Sequence, residues 1–177
     1  MAAPPALPLL ERPDAMILGM SLPTFALFHV LLSLVGIFAG LVVVGGFISG
    51  RLLRGWAGFF LGTTILTNAS GFLFPFVKLL PSHILGGISL VILPVALFAL
   101  YAKHLEGGWR RVFVITSVAT LWFNVFVLVV QLFSKFPLLI ATAPTQKEPP
   151  FAVTQLLVLA MFILLGRTAV KGFRQPA

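Results

Sequence analysis

The chain has no cysteine among its 177 residues. A disulfide framework, a thiolate metal ligand and a cysteine nucleophile are therefore excluded. Acidic residues are almost as scarce: Glu11, Asp14, Glu106 and Glu148 are the whole set. None falls inside a long apolar run, so proton coupling through a buried carboxylate and intramembrane proteolysis by paired aspartates lack their central group. The GxSxG, HExxH, CxxC and Walker-loop patterns are also missing.

What remains is strongly apolar. The chain is 59% hydrophobic and 9% charged, with a mean hydropathy of +1.11, where a soluble domain is about a quarter charged. Dividing it at Asp, Glu, Lys and Arg leaves five long charge-free stretches: Ala15–Gly50, Gly55–Val77, Leu79–Ala102, Val112–Ser134 and Pro149–Gly166. A hydrocarbon core of ~30 Å takes about 20 residues of helix. The runs are continuously apolar rather than alternating, and too long for barrel strands. The expected fold is therefore all-α: an integral membrane bundle of five transmembrane helices, at roughly Phe25–Ile48, Trp56–Val77, Ile84–Tyr101, Val112–Phe133 and Phe151–Arg167. Residues 21–177 form this single domain, and the Pro-rich segment 1–20 reads as a flexible tail without the basic start and apolar core of a signal peptide. Met20 is an alternative start to Met1, because the first helix follows it directly.

The net charge of +8 suggests nucleic acid only until the charges are placed. They lie in the gaps between apolar runs, so the expected surroundings are a lipid bilayer and not nucleic acid. Alternation of five spans puts Arg51, Arg54, Lys103, Arg110, Arg111, Arg167, Lys171 and Arg174 on one side, and Arg12, Lys78, Lys135 and Lys147 on the other. The richer side is cytoplasmic by the positive-inside rule, which makes the N-terminus periplasmic and the C-terminus cytoplasmic. The connection Lys135–Pro150 is the longest on the outer side. Its prolines prevent one continuous helix, and its apolar Leu138–Ala141 suits the membrane interface.

Polarity inside the spans is the informative remainder. TTILTNASGFLFP (Thr63–Pro75) interrupts an apolar run with three Thr, an Asn and a Ser. Helical spacing puts Thr64, Asn68, Gly71 and Pro75 on one face of the second helix, Ser117, Thr120, Asn124 and Gln131 on one face of the fourth, and His29, Ser33, Gly36 and Gly40 on one face of the first. Such stripes face protein rather than lipid. One reading makes them glue: Gly36/Gly40 and Gly58/Gly62 let backbones approach while Thr, Ser and Asn bond across, and Pro75 and Pro94 kink their helices. The other makes them a site. His29, His83, Gln131 and Gln155 lie toward the outer side, with Asn68 and Asn124 as a midplane floor. Together they would form an outward-facing pocket for a small polar ligand or a quinone head group. Two histidines on different helices also fit a b-type haem, although His83 is shallower than His29 and no cofactor is required. His104, beside Lys103 and Glu106, is interfacial.

The segments FHVLLSLVGI (Phe28–Ile37), TNASGFLFPF (Thr67–Phe76), LPSHILGGISL (Leu80–Leu90), FNVFVLVVQLF (Phe123–Phe133) and PTQKEPPF (Pro144–Phe151) resemble a family of uncharacterised small bacterial inner-membrane proteins with five helices. The resemblance spans nearly the whole transmembrane part but not the first twenty residues. It implies a bacterial inner-membrane location and carries no activity. The expected function is that of a non-enzymatic accessory or assembly subunit, or a small-ligand binder. The partners are a larger membrane complex or further copies of the chain. A haem- or quinone-binding redox subunit and an oligomeric small transporter or channel are the alternatives.

Overall fold

The computed structural model describes residues 16–76 and 81–173. The first fifteen residues of the expected tail, and Lys78, lie outside the described residues. Met16–Ile17 (β1) and Met20–Ser21 (β2) pair antiparallel around Leu18 and Gly19, which both take positive φ, 51° and 77°. The end of the expected tail is thus a tight hairpin leading into the first helix.

Helix α1 is Leu22–Ile48. It starts three residues before the expected Phe25 because Ser21 caps it, accepting from the Thr24 N–H, and Pro23 sits in the first turn, where a missing N–H costs nothing. Helix α2 is Arg54–Gly71, six residues short of the expected end at Val77. The chain leaves the helix through turns at Phe72 and Leu73, whose N–H groups bond back to Ala69 and Ser70, ahead of Pro75. Pro75 therefore follows α2 and does not kink it. Helix α3 is Pro81–Leu97 and continues into a π-helical turn, Phe98–Ala102. Pro94 lies inside α3 and cannot donate to the carbonyl four residues earlier. The wide turn follows it, with the Lys103 N–H reaching the Phe98 carbonyl. Positive φ at His104, Leu105 and Gly107 then ends the segment.

Helix α4 is Trp109–Lys135, α5 is the short Pro137–Thr142, and α6 is Pro149–Gly172. Four helices, α1, α3 with its π turn, α4 and α6, are long and apolar enough to cross a membrane; α2, with 18 residues, is not among them. Large apolar side chains point outward all round, with Phe38, Val91, Leu157 and Leu164 each more than 60% exposed, as lipid-facing positions do.

The packing is a ring. α1 lies against α2, α2 against α3, α3 against α4 and α4 against α6, which returns to α1; α1 also touches α4 through the middle. The main core runs through Phe47, Phe60, Leu61, Leu93, Phe113 and Leu121, all nearly inaccessible. α6 joins by one narrow line, Gln155, Phe162 and Ala169, spaced seven apart. The connections place all the described basic residues except Lys135 and Lys147 at the end of the bundle where α1 finishes and α6 stops. There Lys103 lies over the rings of Phe98 and Trp109, and Arg110 over Phe173. Such contacts let a cation leave water while its charge stays compensated.

Candidate functional site

The site begins with the α1–α2 contact. The turn between the two helices is short, so they run antiparallel and every step up α1 is matched by a step down α2. Gly40 meets Phe60, Gly36 meets Thr63, and His29 meets Ser70. Gly36 lets the chains approach closely: a Cβ there would stand 3.3 Å from the Thr63 hydroxyl. One and two turns further on, that closeness brings the half-buried His29 within hydrogen-bond distance of buried Ser70, with Nδ1 to Oγ at 2.8 Å.

The bond has a direction. Ser70 Oγ also lies 3.0 Å from the Thr67 carbonyl, which can only accept. If the single hydroxyl proton serves that carbonyl, the imidazole must donate through Nδ1. Neutral His29 then keeps its Nε2 lone pair as an acceptor. The ring stands edge-on to Phe74 at 5.3 Å, and Phe74 also packs on fully buried Phe25. Ser33 donates to the His29 carbonyl at 2.7 Å, tying down the turn of α1 that presents the ring. The result is an imidazole oriented by one helix, flanked by the Phe74 ring, at the end of the bundle opposite the basic cluster.

His83 occupies a different setting. Its ring packs on Phe72 and Phe76, 6.0 and 5.3 Å away. The segment after α2 therefore turns Phe74 toward α1 and His29, and Phe72 and Phe76 toward α3 and His83. Asn68 donates to the Thr64 carbonyl at 2.9 Å and to Ser89 Oγ on α3 at 3.0 Å, so it joins α2 to α3. Gln155 donates to the Phe126 carbonyl at 3.2 Å and joins α6 to α4. Asn124 is buried, and its amide nitrogen has no partner among the described residues. Gln131 is exposed. The expected group thus separates into His29 with Ser70, His83 with its phenylalanines, Asn68 with Ser89, and Gln155 with α4. Ser70 was not expected. Its signal is the repeat Thr63, Thr67, Ser70, the neighbouring face of α2 to the one read from Asn68.

Of the small-residue positions, Gly36 and Gly40 lie under α2, and Gly58 lies under the Tyr101 hydroxyl, 2.9 Å from where its Cβ would be. Gly62 has open space and makes no close approach among the described residues. Among those residues, no group of three or more His, Asp or Glu is placed to hold a metal ion. No family model, no curated protein and no solved structure matches the chain.

Proposed function

We propose that the protein is a five-span bacterial inner-membrane protein, N-terminus periplasmic and C-terminus cytoplasmic, that binds a small uncharged ligand at His29. The fifth span is α2. It is short and carries Thr, Ser and Asn, yet it packs between α1 and α3, where its polar groups face protein instead of lipid. The orientation follows from the basic cluster at one end of the bundle and the positive-inside rule. His29 and the Phe74 ring beside it then face the periplasm.

The observation that carries the binding reading is the 2.8 Å bond between His29 and Ser70. An imidazole held through Nδ1 offers Nε2 to a hydroxyl or N–H donor, and the partly exposed ring of Phe74 beside it suits a flat or apolar body attached to that donor. A quinol head group and a small alcohol or amide both belong to that chemical class. With no carboxylate beside it among the described residues, the group is assigned to binding and orienting the ligand and not to proton-coupled transport.

The test is the small-molecule content and visible spectrum of the detergent-purified protein. The expected result is one co-purifying neutral compound in the wild type, lost in His29→Ala and reduced in Ser70→Ala, with folding retained and His83→Ala unaffected. A Soret band that shifts on reduction and disappears in His29→Ala would replace this reading with a cytochrome. A wild type that carries only phospholipid would remove it.

A further inference from the structure

A second polar feature lies deeper, between α2 and α4, and stands independently of any ligand at His29. Serine and threonine in apolar helices normally return their hydroxyl proton to a carbonyl one turn back. Ser33, Thr63, Thr116 and Thr120 all do so here, at 2.7 to 2.9 Å. Thr64 and Ser117 do not. Both are fully buried, and neither hydroxyl has a partner among the described residues.

The reason is local and the same in both helices. The carbonyl that Thr64 would use belongs to Phe60, and Thr63 already donates to it at 3.0 Å. The carbonyl open to Ser117 belongs to Phe113, and Thr116 donates to it at 3.1 Å. A carbonyl has two lone pairs. One takes the helix N–H and the other the preceding threonine, so the carbonyl one turn back is already filled for the next hydroxyl. Thr67 Oγ1 and Asn124 Nδ2 are also buried and have no partner among the described residues.

These four groups converge. On α2, Thr64 and Thr67 fall between Thr63, which meets α1, and Asn68, which meets α3. On α4, Ser117 and Asn124 fall between Leu121, which meets Gly40 of α1, and Trp109, whose ring meets Phe98 at the end of α3. Each pair therefore faces the middle of the ring formed by α1 to α4. Heights agree too: at ~1.5 Å per residue, Thr64 is about 15 Å along α2 and Ser117 about 12 Å along α4, with Thr67 and Asn124 each a further turn or two up. Among the described residues, α1 and α3 each pack against both α2 and α4, and Phe60 of α2 and Leu121 of α4 come together beside Gly40.

We infer that Thr64, Thr67, Ser117 and Asn124 form an interior binding site for ordered water, which bridges α2 to α4 across the bundle. Hydroxyls and one amide suit water as both donor and acceptor, and no charged group is present to require an ion.

The sign of a stability change tests this. Replacing an unsatisfied buried hydroxyl by a methyl of the same shape is neutral or stabilising, whereas removing one member of a water-bridged set strands the others. Thr64→Val and Ser117→Ala are each expected to lower the thermal midpoint in nanodiscs by about 2–4 °C. The double variant should lose clearly less than their sum, because the two share waters without touching. Midpoints that stay level or rise, with additive effects, overturn the inference. Should a variant not fold, radiolytic labelling of the unmodified chain after brief transfer into ¹⁸O water decides. Retained ¹⁶O on Leu61 and Leu121, one turn from Thr64 and Ser117, marks slowly exchanging interior water; complete ¹⁸O or no labelling there overturns it.

Discussion

At the scale of the residue, two kinds of helix contact set the structure, and they respond differently to substitution. The first is backbone approach. A Cβ on Gly40 would stand 2.6 Å from Leu121 Cδ1 on α4 and 2.8 Å from Phe60 Cε2 on α2. Both neighbours are buried, so neither yields without disturbing the core. Gly40→Ala is expected to cost about 1–3 kcal/mol, the usual range for overpacking. Gly62→Ala, facing open space, should be neutral or slightly stabilising, since alanine is the better helix former. Thermal unfolding of both in one detergent checks the contrast. The second kind is the polar bond between helices. Asn68 makes one such bond, to Ser89. In membrane proteins these average ~0.6 kcal/mol, because the separated helices also find partners. Asn68→Leu should therefore lower stability by less than Gly40→Ala does, and a loss of several kcal/mol would show that Asn68 holds more than α3.

At the scale of the element, the connection before α6 is organised by one carboxylate. Glu148 precedes the helix and accepts from the Thr145 hydroxyl at 2.8 Å, from the Thr145 N–H at 3.2 Å and from the Lys147 N–H at 3.1 Å. Its pKa is lowered: partial loss of solvation pushes it up, but the bonds from the Thr145 hydroxyl and from backbone N–H groups outweigh that. A carboxylate depressed in the folded state contributes its order above the unfolded pKa and loses it as the pH falls through the folded value. Amide exchange at Thr145 and Lys147 should therefore be protected at neutral pH and accelerate in acid, below the ordinary carboxylate range. In Glu148→Gln the protection should be weak and the acid step absent; an acid step that persists there would assign it to another group.

The same region shows what was legible in the chain. Charge-free runs located every long helix, because a stretch without Asp, Glu, Lys or Arg and of sufficient length has few other uses. The ends were less legible. The last helix, expected from Phe151, begins at Pro149, and Pro149 and Pro150 occupy its first turn, where proline is at home. α2 stops at Gly71 although apolar residues continue, and the rings that follow pack on His29 and His83 instead. The π turn follows Pro94 at Phe98–Ala102, and hydrophobic periodicity does not record it. In the site, His29 was readable as a polar group out of place. Its partner Ser70 was not, because the α1–α2 register decides which face of α2 it meets.

At the scale of the whole molecule, the bundle divides its charge by its ends. Arg51, Arg54, Lys103, Arg110, Arg111, Arg167 and Lys171 gather at one, Lys135 and Lys147 at the other. Each juxtamembrane basic residue favours the cytoplasmic side, and the bias acts through several short connections at once. Reversing one loop should therefore not invert the protein: Arg51→Glu with Arg54→Glu still leaves Lys103, Arg110, Arg111, Arg167 and Lys171 voting for the original side. The chain is well suited to the measurement, since with no cysteine every introduced thiol reports alone. In intact cells of a Gram-negative host, a membrane-impermeant maleimide is expected to label Thr145→Cys and Ser21→Cys. Ser49→Cys and Glu106→Cys should be labelled only after the inner membrane is opened. Labelling of Ser49 and Thr145 from the same side would mean that α2 and α3 together do not carry the chain across as two spans. A five-span bundle would then have to give way to one in which α2 packs inside without crossing. Complete reversal of the pattern would keep the five spans and turn His29 toward the cytoplasm.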